Sequence, residues 1–183
     1  NDILNVKENE LTQNKLTVFG NLPYNISTEI LTKWILNIQT NFWFEKLILM
    51  FQQEVANRII SKYNSSNYGR LSIISNWKLN IKKIIDIGPE SFNPKPKVNS
   101  SLLVFTPKKD YKKICSEESL ETITRIFFNQ RRKKIKKPFN SIFSNSKKIS
   151  EKLEIDLNLR PQNLDYETYL LIAKEYDNIK SRS

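Results

Sequence analysis

The chain has 183 residues and a formal net charge of +11, with one cysteine, Cys115, and no histidine. An intrachain disulfide is therefore excluded, as are zinc sites of the usual Cys/His kind and acid–base or triad chemistry built on histidine. The longest apolar run, residues 47–51 (LILMF), is far too short to cross a membrane, and residues 1–20 show no basic segment followed by an apolar one, so a cytoplasmic address without a membrane or a leader is expected.

Residues 16–19 (LTVF) read as a short buried strand. Residues 28–38 are predicted helical because Ile30, Leu31, Trp34, Ile35 and Ile38 recur at helical spacing, with Ser27 available as the cap. KLILMF (46–51) suits a strand covered on both faces, and QEVANRIISKY (53–63) continues as a helix. NSSNYG (64–69) has turn chemistry, while RLSIISNWKL (70–79) fits a helix and a strand equally well. IKKIIDIG (81–88) reads as a strand ended by Gly88-Pro89. Prolines 89, 94 and 96 then stiffen a loop that leads into a last strand, SSLLVF (100–105).

This order, strand–helix–strand–helix and then two strands in succession, is that of the second half of a doubly wound α/β sheet closed by an antiparallel pair. Residues 1–108 are assigned to that half sheet. After Pro107, KKDYKK reads as a linker, and residues 109–183 show only helical patterns, at roughly 117–130, 147–154 and 165–176. Ser116 and Asp165 are placed to cap the first and last of these, so a small all-α domain is expected. Both parts are basic, which favours a polyanion such as nucleic acid. Abundant Lys, Asn and Ile, whose codons are A/T-rich, offer genome bias as a second explanation.

Only three glycines are present, Gly20, Gly69 and Gly88, so no G-x-G loop exists to cradle a phosphate or cofactor. A doubly wound domain carries that loop after its first strand. The chain thus reads as beginning midway through such a fold, N-terminally incomplete and inactive by itself.

GNLPYNIS (20–27) is the stretch that carries chemistry. It lies just beyond the carboxyl end of a predicted strand, where open α/β sheets place their ligands. An exocyclic amine on a nucleobase is a poor nucleophile, because its lone pair is delocalised into the ring. The Asn21 side-chain oxygen and a nearby backbone carbonyl can both accept hydrogen bonds from such an amine, favouring a pyramidal nitrogen. Pro23 has no N–H to compete, and Tyr24 can stack on the base. No metal or covalent intermediate is needed. The plainer reading is a turn that leads a helix, punctuated by Asn and Pro.

GNLPYNIST resembles the catalytic motif of the ribosomal RNA adenine dimethyltransferases, class I S-adenosylmethionine-dependent enzymes of the KsgA/RsmA type. FQQEVANRI (51–59), YGRLS (68–72), F-x-P-x-P-K-V-x-S (92–100), FNQRRK (128–133) and L-x-x-R-P-Q-N-L-x-x-x-x-Y (157–169) match in the same order, over essentially the whole chain. The resemblance implies a Rossmann-like methyltransferase sheet and S-adenosylmethionine as methyl donor, with no metal. It implies that Asn21 touches the donor and accepts from the target amine, within a catalytic set of Asn21, Leu22, Pro23 and Tyr24. The Pro23 region would supply the backbone acceptor. Tyr24 would stack on one face of the adenine and Phe92 on the other, although Phe92 also fits an ordinary loop anchor. Asp2, nineteen residues before Asn21, would contact the donor's adenine.

FNQRRKKIKK places Arg131, Arg132, Lys133, Lys134, Lys136 and Lys137 within seven residues, at the end of a predicted helix. Such density suits RNA phosphates, with Arg58 and Arg70 as further candidates; a solvated helix end complementing its dipole is the alternative. The implied substrate is small-subunit ribosomal RNA on a pre-30S particle, dimethylated at two adjacent adenosines of a hairpin loop near its 3′ end during subunit maturation, by a monomer. Two rivals are a large-subunit methyltransferase of the antibiotic-resistance type and a non-catalytic RNA-binding assembly factor.

Overall fold

A computed structural model describes residues 3–10, 14–38, 41–111, 113 and 115–181. Among these, four strands form one mixed sheet: β1 (Leu16–Asn21), β2 (Phe44–Gln52), β3 (Leu79–Ile87) and β4 (Ser100–Pro107), in the spatial order β1-β2-β4-β3. β1 and β2 run parallel, with helix α1 (Ser27–Leu36) in the connection between them. Helices α2 (Gln53–Ile59) and α3 (Arg70–Lys78) lie between β2 and β3. β4 is antiparallel to both of its neighbours, so the last strand in sequence is inserted in the sheet rather than added at its edge. The α/β half sheet expected from the sequence is present.

Hydrophobic sequence explains the insertion. Leu103 and Phe105 of β4 are fully buried, as are Leu47, Leu49 and Phe51 of β2, and the Phe51 and Phe105 rings meet edge to face at 6.1 Å. β3 carries Lys82, Lys83 and Asp86 and takes the edge, where charge blocks further pairing. β1 departs from the expectation of a buried strand. It pairs on one side only among the described residues, and its side chains alternate between half-buried and exposed because successive residues face opposite sides of the sheet; Phe19 is 74% exposed.

Two helix ends also differ from their expectations. Ser27 is the first residue of α1, not its cap; Ile26 holds the cap position, and the Ser27 hydroxyl turns back to donate to the Tyr24 carbonyl at 3.2 Å. The ambiguous stretch 70–79 folds as α3 up to Lys78, and Leu79 opens β3. The amphipathic pattern of α3 is flat because Ser72, Ser75 and Lys78 are buried alongside Ile73, Ile74 and Trp77. Lys78 is fully buried, yet its ammonium donates to the carbonyls of Ile35 (3.2 Å) and Ile38 (2.6 Å), closing the carboxyl end of α1. It also lies 4.5 Å from the centre of the Trp77 ring. A buried cation is tolerated there because backbone carbonyls and the negative end of the helix dipole surround it.

The chain divides into two compact units, residues 1–60 with 75–111, and residues 61–74 with 112–183. The segment 61–74, which a single cut at 108/109 leaves with the sheet, groups with the helical unit. That unit contains α4 (Glu117–Phe128), α5 (Lys136–Ile142), α6 (Ser146–Lys152) and α7 (Tyr166–Lys180). Ser116 caps α4 by accepting from the Ser119 N–H (3.1 Å), and Asp165 caps α7 by accepting from the Thr168 N–H (2.8 Å), both as the sequence predicts. Asp177 of α7 also accepts from the Ser116 N–H (2.7 Å) and from the hydroxyls of Ser116 (2.9 Å) and Ser119 (2.5 Å), fastening α7 to the start of α4. Helix α5 is unannounced in the sequence. Its Pro138 sits in the first turn, where no backbone donor is required.

An aromatic core explains why 61–74 belongs with these helices. Tyr68 meets Phe128 edge to face at 6.4 Å, Phe128 stacks on Tyr169 at 5.7 Å, and Phe127 meets Tyr169 and Phe139. The Tyr169 hydroxyl donates to the Pro161 carbonyl at 2.8 Å. The Tyr68 hydroxyl is buried and has no hydrogen-bond partner among the described residues.

Burial pushes both phenols, Tyr68 and Tyr169, above the ordinary tyrosine range. A phenol with a raised folded pKa contributes stability that is complete below about pH 10, where the unfolded phenol ionises. That contribution is lost as pH rises toward the folded value. Urea unfolding between about pH 9.5 and 11.5 should therefore show a shallower loss of stability in Tyr68→Phe than in the wild type. At pH 7 the same substitution should change stability by less than about 1 kcal/mol, because it removes an unpaired buried hydroxyl.

Candidate active site

Asn21 ends β1 opposite Met50 of β2, at the carboxyl end of the parallel pair, and its side chain is exposed. Gly20 precedes it because the strand runs close to β2: a Cβ there would lie 2.7 Å from Leu49 Cδ2 and 3.3 Å from Leu22 Cδ2. Leu22 is buried and anchors the turn that follows. The Pro23 carbonyl accepts from the Ile26 N–H (3.1 Å), and the Ile26 carbonyl accepts the first helical bond, from Ile30 (3.0 Å). The Asn-Leu-Pro-Tyr stretch is thus a hydrogen-bonded turn between strand and helix, with Asn21 and Pro23 exposed and Tyr24 half-buried.

Tyr24 is held at both ends. Its carbonyl takes the Ser27 hydroxyl, and its phenol is hydrogen-bonded to Ser100 Oγ at 2.6 Å. Ser100 is fully buried at the start of β4, facing Gln52 on one side and Ile87 on the other. The sequence places Ser100 at the end of a motif without assigning it a role. Its partner is 76 residues away in the chain, so no local pattern reveals the pairing.

The loop 88–99 leaves β3 after Ile87 and re-enters the sheet at Ser100, and those two residues pair. Phe92 therefore belongs to a loop that starts and finishes at the sheet end that carries Asn21 and Tyr24. Phe92 itself is half-buried, with its N–H donated to the Pro89 carbonyl at 3.2 Å; the Asn93–Pro94 peptide is cis. The exit of the loop is fastened three times. Asn99 accepts from the Gln53 N–H (2.9 Å) and donates its amide to Gln53 Oε1 (3.4 Å), Ser100 holds Tyr24, and the Ser101 hydroxyl donates to Asp86 (2.5 Å). Hydrogen bonds from Lys83 and then Ser101 hold the Asp86 carboxyl below the usual carboxylate range.

Of the two predicted donor contacts, Asn21 is placed at the site and Asp2 lies outside the described residues. The three glycines fall at the end of β1, before α3 and after β3, and none forms a cradle for a cofactor. The described residues thus supply a turn able to bind an amine.

The basic run of the helical unit follows the end of a helix, as the sequence predicts. α4 ends at Phe128, and residues 129–133 form turns, so Arg131, Arg132 and Lys133 do not prolong a helix; Lys136 and Lys137 open α5. The Arg131 guanidinium is turned inward onto the carbonyls of Ser65 and Ser66. Lys134 donates to Asn158 Oδ1 at 3.0 Å, while Arg132, Lys133, Lys136 and Lys137 are exposed. Arg70 faces Glu121 at 3.6 Å, and Arg58 pairs with Glu54 one turn earlier on α2. The segment that Arg131 grips is held from a second side: Asn163 donates to Asn64 Oδ1 (2.8 Å), and the Asn64 N–H donates to the Gln162 carbonyl (2.7 Å). Asn64 has φ 67°, which asparagine tolerates better than most residues.

The sheet order and the site at its end define a Rossmann-like methyltransferase fold. A dimethyladenosine transferase from Plasmodium falciparum superimposes with a TM-score of 0.73 at 24% identity, covering 92% of this chain and 69% of that one. The 23S rRNA methyltransferase ErmE superimposes at 0.61 with 17% identity, covering 96% and 70%. A model of the ribosomal RNA adenine dimethylase family matches residues 1–178, and the chain belongs to that family. It is 63% identical over 179 residues to ribosomal RNA small subunit methyltransferase A of Pelagibacter ubique, covering 98% of this chain and 68% of that protein. The chain spans about two thirds of the length of the curated relatives it matches.

The placement of the basic residues separates two roles. Arg131→Ala should lower stability by about 1 kcal/mol, because it removes the side-chain donor that ties the half-buried Ser65 and the exposed Ser66 carbonyls to the helical unit. Arg132→Ala and Lys133→Ala should stay within about 0.5 kcal/mol of wild type. Thermal unfolding of the three variants checks this.

Proposed function

We propose that this chain carries the base-binding and RNA-holding parts of an S-adenosylmethionine-dependent enzyme that dimethylates adenines of small-subunit ribosomal RNA. The observation that carries the reading is the Asn21–Tyr24 turn, fastened at the carboxyl end of β1, in a chain 63% identical to a small-subunit methyltransferase. The exposed Asn21 side-chain oxygen accepts one hydrogen bond from the adenine amine. The Pro23 carbonyl is engaged by Ile26, so we assign the second acceptor to the preceding carbonyl, of Leu22. Two acceptors on one amine pull its hydrogens out of the ring plane, and the lone pair is released from conjugation. Because the turn is already built, this orientation needs no rearrangement at the moment of reaction. When bound, S-adenosylmethionine supplies an electrophilic methyl group.

Tyr24 stacks on one face of the base, and Phe92 closes on the other from its anchored loop. The substrate in this reading is a pair of adjacent adenosines in a hairpin loop near the 3′ end of the RNA, methylated on a pre-30S particle in the cytoplasm during subunit maturation. Loop bases are partly unstacked already, so presenting them costs less than flipping a paired base. The protein acts as a monomer. Exposed Arg132, Lys133, Lys136 and Lys137 hold RNA phosphates, and Arg131 acts behind them by fixing the 64–66 segment. Asp2 contacts the donor's adenine. The 183 residues contain no glycine-rich donor loop and need one for turnover.

In the full-length protein, Asn21→Ala should lower methylation by about 100-fold or more while RNA affinity stays within about twofold. Near wild-type methylation by that variant would remove Asn21 from the chemistry. Replacing Arg132 and Lys133 together by Gln should weaken RNA binding at every sequence tested and reduce the slope of log K against log salt by about 1.4–1.8. An unchanged slope would mean that these residues do not touch phosphate.

A further inference from the structure

We propose that Ser100 is a positioning residue for methyl transfer, acting through the phenol of Tyr24. The inference rests on the reading of Tyr24 as the platform for the target base. A tyrosine ring has two free torsions, and a stacking platform works only when its plane is set before the base arrives. The turn fixes the Tyr24 backbone through the Ser27 hydroxyl, but that leaves the ring free to rotate. The 2.6 Å hydrogen bond to Ser100 removes the rotation, because it pins the far end of the ring.

The anchor is itself immobile. Ser100 is fully buried, and it is paired in the ladder with Gln52 of β2 and with Ile87 of β3. A surface partner would give Tyr24 a hydrogen bond but no fixed direction. The neighbouring residues add a second consequence. Asn99 is bonded to Gln53, and Ser101 is bonded to Asp86, so the last residues of the Phe92 loop cannot shift without moving Ser100. One strand end therefore sets the Tyr24 ring and terminates the loop that carries Phe92. The spacing between the two aromatic groups is referred to a common point in β4.

The test is a double-mutant cycle in the full-length protein, read by methylation kinetics and by fluorescence of an RNA hairpin with 2-aminopurine at the target position. Ser100→Ala and Tyr24→Phe each remove one side of the hydrogen bond and keep the ring. Each is expected to lower kcat by about 3- to 10-fold, to leave KM for RNA within about twofold, and to weaken quenching of the 2-aminopurine. The double variant is expected to be no worse than either single. Losses that multiply in the double variant would overturn the inference, since Ser100 would then act by another route. Wild-type kcat and quenching in both single variants would overturn it too. Tyr24→Ala separates the two levels of the argument. If it abolishes quenching and turnover while the single variants do nothing, only the positioning role of Ser100 falls. If Tyr24→Ala itself behaves as wild type, the stacking role of Tyr24 fails and the inference goes with it.

Discussion

The insertion of β4 between β2 and β3 is the constraint on which the site depends. It is a packing result: β4 and β2 carry the fully buried Leu and Phe side chains and take the interior of the sheet, while β3 carries its charges to the edge. The consequence is geometric. The residue that begins β4 is forced to the same sheet end at which β1 and β2 finish, so the polar residues that open β4 meet the turn that follows β1. An edge position for β4 would leave the proline-rich loop and the Asn-Leu-Pro-Tyr turn at the same level of the sheet but without a shared anchor.

Around that anchor the protein uses few polar groups and satisfies them fully. Ser100 and Ser101 are adjacent, and alternate residues of a strand point to opposite faces. One serine serves Tyr24 and the next serves Asp86, so two separate hydrogen bonds grow from one strand end. Each bond fixes the direction of one side chain, which under the proposed function suits a site that has to orient an amine. Asn21 is exposed at the same end of the sheet, as the acceptor role proposed for it requires.

The positive charge of the chain is not all surface charge. Lys78 closes the end of α1, and Lys33 donates to the carbonyls of Ile3 (3.0 Å) and Val6 (2.6 Å) and to Glu8 (2.8 Å). Arg131 serves the 64–66 segment. Long cationic side chains here act as donors to several backbone carbonyls at once, a use that composition cannot separate from RNA binding. Exposed cations occur along the whole chain, but residues 132–137 hold the densest run of them, and that run supports the RNA reading more directly than the net charge does.

The sequence by itself determined the elements and the chemistry of the turn. Periodicity placed β2, α1, α4 and α7 to within a few residues, Ser116 and Asp165 were recognised as caps, and the order of motifs pointed to the family. All of these are local signals, carried by side chains a few residues apart. It misplaced what depends on how the chain packs. Ser27 looks like a cap until the Tyr24 carbonyl takes its hydroxyl, and LTVF looks buried until one face of its strand is left exposed. α3 and α5 were hidden because buried serines, a buried lysine and a first-turn proline erase the apolar period. Only the tertiary structure decided that residues 61–74 group with the helices, that Arg131 faces inward, and that Ser100 holds Tyr24. Each of those is a contact between residues at least 60 positions apart, or rests on one, and the free energy of such a contact depends on what surrounds it rather than on what precedes it in the chain.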